Sequence, residues 1–249
     1  MTRLACIVGS GFSRERFAQV SGDVIETRYG ATSSPIVATQ LGGVDVVLLA
    51  RHGPDHRWAP HEVNYRANIQ ALRDIGVTHC IGFNVVGGIA SHLAPGELAV
   101  PHQLIDYTWG RPSSFDMPGE GVTHIEFTQP FSAQVRVALE HGCVAADRRV
   151  YDGVYGVTQG PRLETAAEVD RLERDGCDMV GMTALPEAAL AREAGIEYAV
   201  LAGVVNHAAG RAPGGRSLHA QMREILAAVM DAGQRVIEHA AVSLCHRDL

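Results

Sequence analysis

With 249 residues, 46% of them hydrophobic and 20% charged, the chain fits one large α/β domain or two small ones, the lack of a linker favours one, and the composition is that of a globular protein without disorder beyond short loops. A formal charge of −7, from 21 Lys and Arg against 28 Asp and Glu, excludes a broad nucleic-acid footprint and still allows a small anion held by a few local donors. Five cysteines without a CxxC pair argue against disulfides and a cysteine metal site. MTRLACIVGSG lacks a long apolar leader, and no run reaches the roughly 18 apolar residues of a membrane helix, so a cytoplasmic protein is expected.

LACIV (4–8) is a strand-length apolar run that ends in Gly9-Ser10-Gly11. The Ser10 hydroxyl and nearby amides could face an anion there. Arg14, however, stands where a dinucleotide fingerprint needs its third glycine, and no GK[ST] follows, so alone the stretch reads as a tight turn.

DVVLLA (45–50) ends in Arg51-His52-Gly53, a guanidinium fork and an imidazole suited to phosphate or carboxylate. An arginine that caps the strand end and pairs with a nearby Asp or Glu fits equally well. His52, His56 and His61 fall in RHGPDHRWAPH, where Pro54 and Pro60 break any helix and no HExxH spacing occurs; they read as loop histidines without a metal.

VNYRANIQALRDIG (63–76) has a broad apolar helical face stopped by Gly76, and HCIGFNVV (79–86) is a strand ending at Gly87-Gly88. ETAAEVDRLERDG (164–176) repeats the helix pattern, and Glu164 at its start suits the helix dipole. In CDMVGMT, Met182-Thr183 precedes a helix over PEAALAREAG (186–195) with proline at its first position; Thr183 could meet an anion or act as an N-cap. The run over 198–205 closes on Asn206 and His207, and a last helix is expected from about Leu218 to Val242. Strands alternating with helices define an α/β architecture, in which ligands collect beyond the carboxyl ends of strands.

Taken together, GSG (9–11), RHG (51–53), PHEVNYRANIQAL (60–72), FNVVGGI (83–89), QGPRLET (159–165), GMTALPEAALAREAGIEYA (181–199) and VVN (204–206) resemble the trimeric purine nucleoside phosphorylase and methylthioadenosine phosphorylase family. The resemblance covers nearly the whole chain. It implies a single α/β domain over residues 1–249, with a mixed, barrel-like sheet surrounded by helices, assembled as a homotrimer. It also implies phosphorolysis of a purine nucleoside with inorganic phosphate as co-substrate and no metal or organic cofactor. By that resemblance Ser10, Arg51, His52, Asn84, Val85 and Thr183 bind phosphate, and Met182 lies under the ribose. His124 of VTHIEF reaches a neighbouring subunit's 5′ pocket.

The base is assigned through GVVNHAAG (203–210), where Asn206, with His207 and Ala208, stands in place of the Asp-x-Asp typical of the methylthioadenosine members. An asparagine donates to purine N7 without offering a charged acceptor to a 6-amino group. Glu164, beside Leu163, resembles the glutamate of 6-oxopurine members and would accept from the N1–H of hypoxanthine or guanine. An adenine would leave that carboxylate unmatched, a discrimination of roughly 10⁴-fold or more. The RHG, PHEVNYRAN and NHAAG segments are most similar to bacterial methylthioinosine phosphorylases, so 5′-methylthioinosine is the expected substrate. At the 5′ end Leu218 suits a methylthio group, whereas His219 could bond the 5′-hydroxyl of inosine or guanosine. A methylthioadenosine enzyme and a catalytically silent nucleoside-binding trimer are the remaining alternatives.

Overall fold

In the computed structural model, which describes residues 2–9, 22–117, 119, 121–213 and 217–245, strands and helices alternate as the apolar runs predict. β1 (Leu4–Val8) lies parallel between β5 (Val44–Ala50) and β6 (His79–Gly88). All five β1 residues are buried, which explains an uninterrupted apolar run rather than an alternating one. β4 (Ile36–Leu41) pairs antiparallel with β5 through Gly42 and Gly43, whose φ values of 58° and 81° suit a two-residue hairpin turn. β2 (Glu26–Thr27) and β3 (Gly30–Ala31) form a separate small hairpin.

β6 changes partner along its length. Its first half pairs with β1 as far as Phe83 opposite Val8; farther along the same edge, Gly87 and Gly88 pair antiparallel with β10 (Met179–Gly181). β9 (Val154–Val157) runs parallel to β10, and β8 (Gln103–Asp106) parallel to β9. On its other edge β6 carries the parallel β11 (Glu197–His207), which pairs antiparallel with β7 (Leu98–Ala99). A bridge from Ala99 to Tyr151, three residues before β9, closes this circuit. The sheet is therefore mixed and barrel-like, with β1, β5 and β4 extending from it as a wing.

Helices cover the sheet: α1 (Tyr65–Asp74), α2 (Ala133–Ala145), α3 (Ala166–Arg174), α4 (Ala184–Glu193) and α5 (Leu218–Cys245). Asn64 caps α1 by accepting from the Ala67 N–H, and Gly76 follows it with φ 82°. In α4, Leu185 is non-helical, so the regular turns begin at Pro186 as expected. α5 and the sheet approach closely because they meet at glycines. A Cβ on Gly233 would stand 2.1 Å from the Phe83 ring, and one on Gly203 2.4 Å from Val229. Cys6 and Cys80 are buried in the same core, where burial pushes the Cys6 thiol up to about 12. Among the described residues no helix is long and apolar enough to cross a membrane.

Candidate active site

A cleft of about 510 Å³ opens where β1, β5 and β10 end and where β6 and β11 carry Asn84 to Gly87 and Val205-Asn206. This is the carboxyl-end position that an α/β sheet reserves for ligands. Arg51, His52, Asn84, Val85, Leu163, Glu164, Met182, Thr183, Asn206, Leu218 and His219 all line it. Gly9 lines it too, but Ser10 lies outside the described residues.

At one end the strand pairing leaves a main-chain donor turned toward the cleft. The Gly9 N–H donates to the Phe83 carbonyl, so Phe83 presents its backbone groups toward β1 and, by the two-residue period of a strand, Val85 does the same. β1 has already ended there and β10 has not begun, so the Val85 amide sits in a break in the ladder beside the cleft. Thr183 stands at the α4 N-cap position yet makes no side-chain capping bond, which sets aside the N-cap alternative and leaves its hydroxyl for the cleft.

Arg51 departs from the expected bidentate phosphate clamp. Its fork is spent inside the protein: Nε and Nη2 each donate to the Glu187 carboxylate at 2.7 Å, and Nη2 also donates to Asn84 Oδ1 at 2.8 Å. Tyr198 Oη donates to Glu187 Oε1 at 2.6 Å, and Asn84 Nδ2 donates to Tyr155 Oη at 3.4 Å. Burial alone would lower the arginine pKa, but the Glu187 carboxylate outweighs it and keeps the guanidinium charged. Toward the cleft the arginine thus offers its Nη1 edge, which also donates to the Phe83 carbonyl at 3.3 Å and lies 3.0 Å from where a Gly9 Cβ would be; a side chain there would cover it. Gly82 is required for the same network, since its Cβ would fall 2.2 Å from Tyr198 Oη.

His52 Nδ1 lies 2.8 Å from the Trp58 carbonyl, an acceptor only, which puts the ring proton on Nδ1 and leaves Nε2 as an acceptor. Burial and the neighbouring Arg51 push its pKa down to about 4. The His56 ring, 4.6 Å away, also lines the cleft.

At the opposite end, Glu164 proves not to serve the helix dipole. α3 is capped by Thr165 and Glu168 in a reciprocal capping box, and Glu164 lies outside it. Instead Glu164 Oε1 accepts from the Thr158 hydroxyl at 2.6 Å. Asn206 Nδ2 donates to the His207 carbonyl at 2.6 Å, which fixes the amide and leaves its second N–H uncommitted.

Two expected contacts are corrected. His207 lines a different cavity, of about 300 Å³, beside Pro95 and Gln221, and Ala208 is buried in an apolar cluster with Ile89, Val169 and Val180. The reason is a bulge in β11 between Val204 and Asn206, which places both Val205 and Asn206 on the cleft and turns the residues after them away; Ala209 lines the cleft instead. His124 is exposed in an irregular stretch and does not line the cleft of its own chain. Glu187, Tyr198, Tyr155, Thr158 and Met222 were not anticipated; the first three act through long-range contacts, whereas Thr158 lies six residues before Glu164 and Met222 one helical turn after Leu218, spacings that local reading could have found.

A mixed, barrel-like sheet with main-chain and side-chain donors, an amide and a carboxylate around one cleft defines an α/β protein with a site suited to a small polar ligand. The chain belongs to the Phosphorylase superfamily, whose family model matches residues 3–242. A Xylella fastidiosa protein named "Probable S-methyl-5'-thioinosine phosphorylase" is 49% identical over 92% of each chain. A 6-oxopurine nucleoside phosphorylase of Pyrococcus furiosus is 38% identical over 91% of this chain and 87% of its own. Among solved structures, a methylthioadenosine phosphorylase from Schistosoma mansoni in complex with adenine superposes with a TM-score of 0.91 at 30% identity, covering 99% of this chain and 93% of the other.

Proposed function

We propose that the protein catalyses phosphorolysis of a 6-oxopurine nucleoside, with S-methyl-5'-thioinosine and inorganic phosphate as substrates and hypoxanthine and 5-methylthioribose 1-phosphate as products. The observation that carries this reading is the one cleft with the Val85 amide, Arg51, His52 and Thr183 at one end, Glu164 and Asn206 at the other, and Met182 lining it as well. The names of the relatives support it.

The glycosidic C1′–N9 bond breaks with its electron pair going to the purine, a phosphate oxygen bonds to C1′, and the proton that hydrogen phosphate gives up passes by way of solvent to the purine, which leaves as neutral hypoxanthine. Positive charge on the sugar is stabilised by the phosphate anion beside it, and negative charge on the purine by the uncommitted Asn206 N–H at N7. Glu164 Oε2, left open by the Thr158 bond to Oε1, accepts from the purine N1–H. His52 Nε2, an acceptor, takes the proton-bearing oxygen of hydrogen phosphate. Phosphate is a co-substrate, and neither metal nor organic cofactor enters the scheme.

Leu218 and Met222 give the α5 end of the cleft an apolar side that suits a methylthio group. His219 in the same place favours a second reading, inosine or guanosine with a 5′-hydroxyl. We place the working enzyme in the cytoplasm as a homotrimer, in which His124 enters a neighbour's cleft; its exposure away from its own cleft fits that role.

The test is a phosphorolysis panel of methylthioinosine, methylthioadenosine, inosine, guanosine and adenosine. Methylthioinosine is expected to have the highest kcat/KM. Faster cleavage of methylthioadenosine would overturn the base assignment, and base release without phosphate would mark a hydrolase. No base release at all would mark a silent binding protein.

A further inference from the structure

Where β8, β9 and β10 end side by side, Val157 pairs with both Asp106 and Gly181, the Tyr107 N–H donates to the Val157 carbonyl, and the Thr158 N–H donates to the Gly181 carbonyl. Beyond that point the chains separate. One arm, 158–164, leads to Glu164; the other, 182–185, holds Met182 and Thr183. Carbonyls of both arms are left without ladder partners, and a carbonyl turned inward without one is costly.

Arg111, on the continuation of β8, fills this fork. Nη1 donates to the carbonyls of Met182 (2.7 Å) and Leu185 (2.9 Å), and Nη2 to those of Gln159 (2.6 Å) and Thr158 (3.4 Å). One half of the guanidinium thus holds the arm with Met182 and Thr183, and the other holds the arm with Thr158 and Glu164. The cation stands 5.8 Å from the centre of the Tyr65 ring, whose hydroxyl donates to the carbonyl of Pro60 on the cleft wall. It has no carboxylate ion-pair partner among the described residues, and Arg111 does not line the cleft itself. A half-buried arginine usually answers an acid; this one answers four main-chain oxygens.

The geometry points to Arg111 as the positioning residue that sets the spacing between the base-facing arm and the sugar-facing arm of the cleft. A planar fork with five N–H donors spans the two arms, which a lysine ammonium, a single compact centre, does not. Of the phosphate donors only Thr183 lies on an arm that Arg111 holds; Arg51, His52 and Val85 are carried by the β5 and β6 ends, which Arg111 does not touch, so the nucleoside depends on Arg111 more than phosphate does.

The activity arm of this inference rests on the phosphorolysis reading; a second readout does not. In Arg111→Ala, kcat/KM for the nucleoside is expected to fall on the order of 100-fold, the scale of an ångström-sized displacement of binding groups, while the phosphate KM changes less than about threefold. Millimolar methylguanidinium restores part of the activity, and Arg111→Lys stays impaired. Independently of turnover, amide hydrogen exchange accelerates in 158–164 and 182–185 of Arg111→Ala but not in β1 or β5. An Arg111→Lys enzyme equal to wild type, an equal loss for both substrates that methylguanidinium does not relieve, or unchanged exchange in the two arms would each overturn the assignment. A wild type without phosphorolysis, combined with faster exchange in the variant, would sink the activity reading and keep the clamp.

Discussion

Glu187 meets the Arg51 guanidinium edge to edge, with Nε and Nη2 both at 2.7 Å and each side chain 1% exposed. Residues 136 positions apart thus make a buried ion pair directly behind the anion end of the cleft. Removing one partner of such a pair leaves an uncompensated charge, which costs about 3–5 kcal/mol. Glu187→Gln is therefore expected to lose roughly that much in urea unfolding, and its phosphate KM should rise as the arginine reorients. A variant with wild-type stability would show that the pair is not structural.

Asn206 is the proposed donor to the leaving purine and the proposed reader of the 6-substituent. Asn206→Asp should move the kcat/KM ratio toward 6-aminopurines, measured on methylthioadenosine and methylthioinosine side by side. An unchanged ratio removes Asn206 from base selection.

The Thr158 hydroxyl orients Glu164 through a 2.6 Å bond. A hydrogen bond to a charged group is worth about 1.5–3 kcal/mol. Thr158→Val, which keeps the shape and deletes the donor, should lower 6-oxopurine kcat/KM by roughly tenfold or more. The loss should be much smaller for any 6-aminopurine turnover; equal losses on both would make Thr158 a general packing residue.

His52 links stability to pH. Its folded pKa, near 4, lies below the 6.5 of a free imidazole because of burial and Arg51, so the unfolded chain binds more protons between those values. Stability is complete above pH 6.5 and declines as pH falls toward 4, by roughly 3 kcal/mol from this group. The His56 shift has the same sign. Unfolding curves of His52→Gln should lose that part of the slope, and a slope identical to wild type would mean that His52 titrates normally.

The proposed homotrimer with a shared site predicts complementation. Asn206→Ala and His124→Ala variants should each be impaired, and subunits mixed after dissociation should regain activity, because some clefts then hold both intact residues. A monomer in sedimentation, or no recovery on mixing, counts against it.

Strand ends and most helix stops were legible in the sequence because local chemistry writes them: apolar runs, stopping glycines, polar residues at strand ends. The cleft residues were assembled only through the family resemblance, since each local signal also had a structural explanation. The long-range partners of those residues were not legible. Glu187 looks like an acidic residue in the first turn of a helix, and nothing in its neighbourhood announces Arg51. Arg111 falls in an irregular stretch without periodicity, and its partners are carbonyls, which any sequence supplies. His207 and Ala208 were placed by the family pattern alone, and a pattern of residue types does not register the bulge between Val204 and Asn206 that turns them away from the cleft.

The partner change along β6 also decides which mutations the anion site can feel. Because Val85 contributes its main-chain N–H, the side chain at that position is free to drift as long as it fits its surroundings, and no single-letter substitution short of proline deletes the donor. What holds the amide in place is the topology: β1 stops at Val8, and β10 joins at Gly87. On the proposed reading the phosphate end is thus inherited with the architecture, whereas the base end, written in the side chains of Glu164 and Asn206, is where descendants of the same scaffold can diverge.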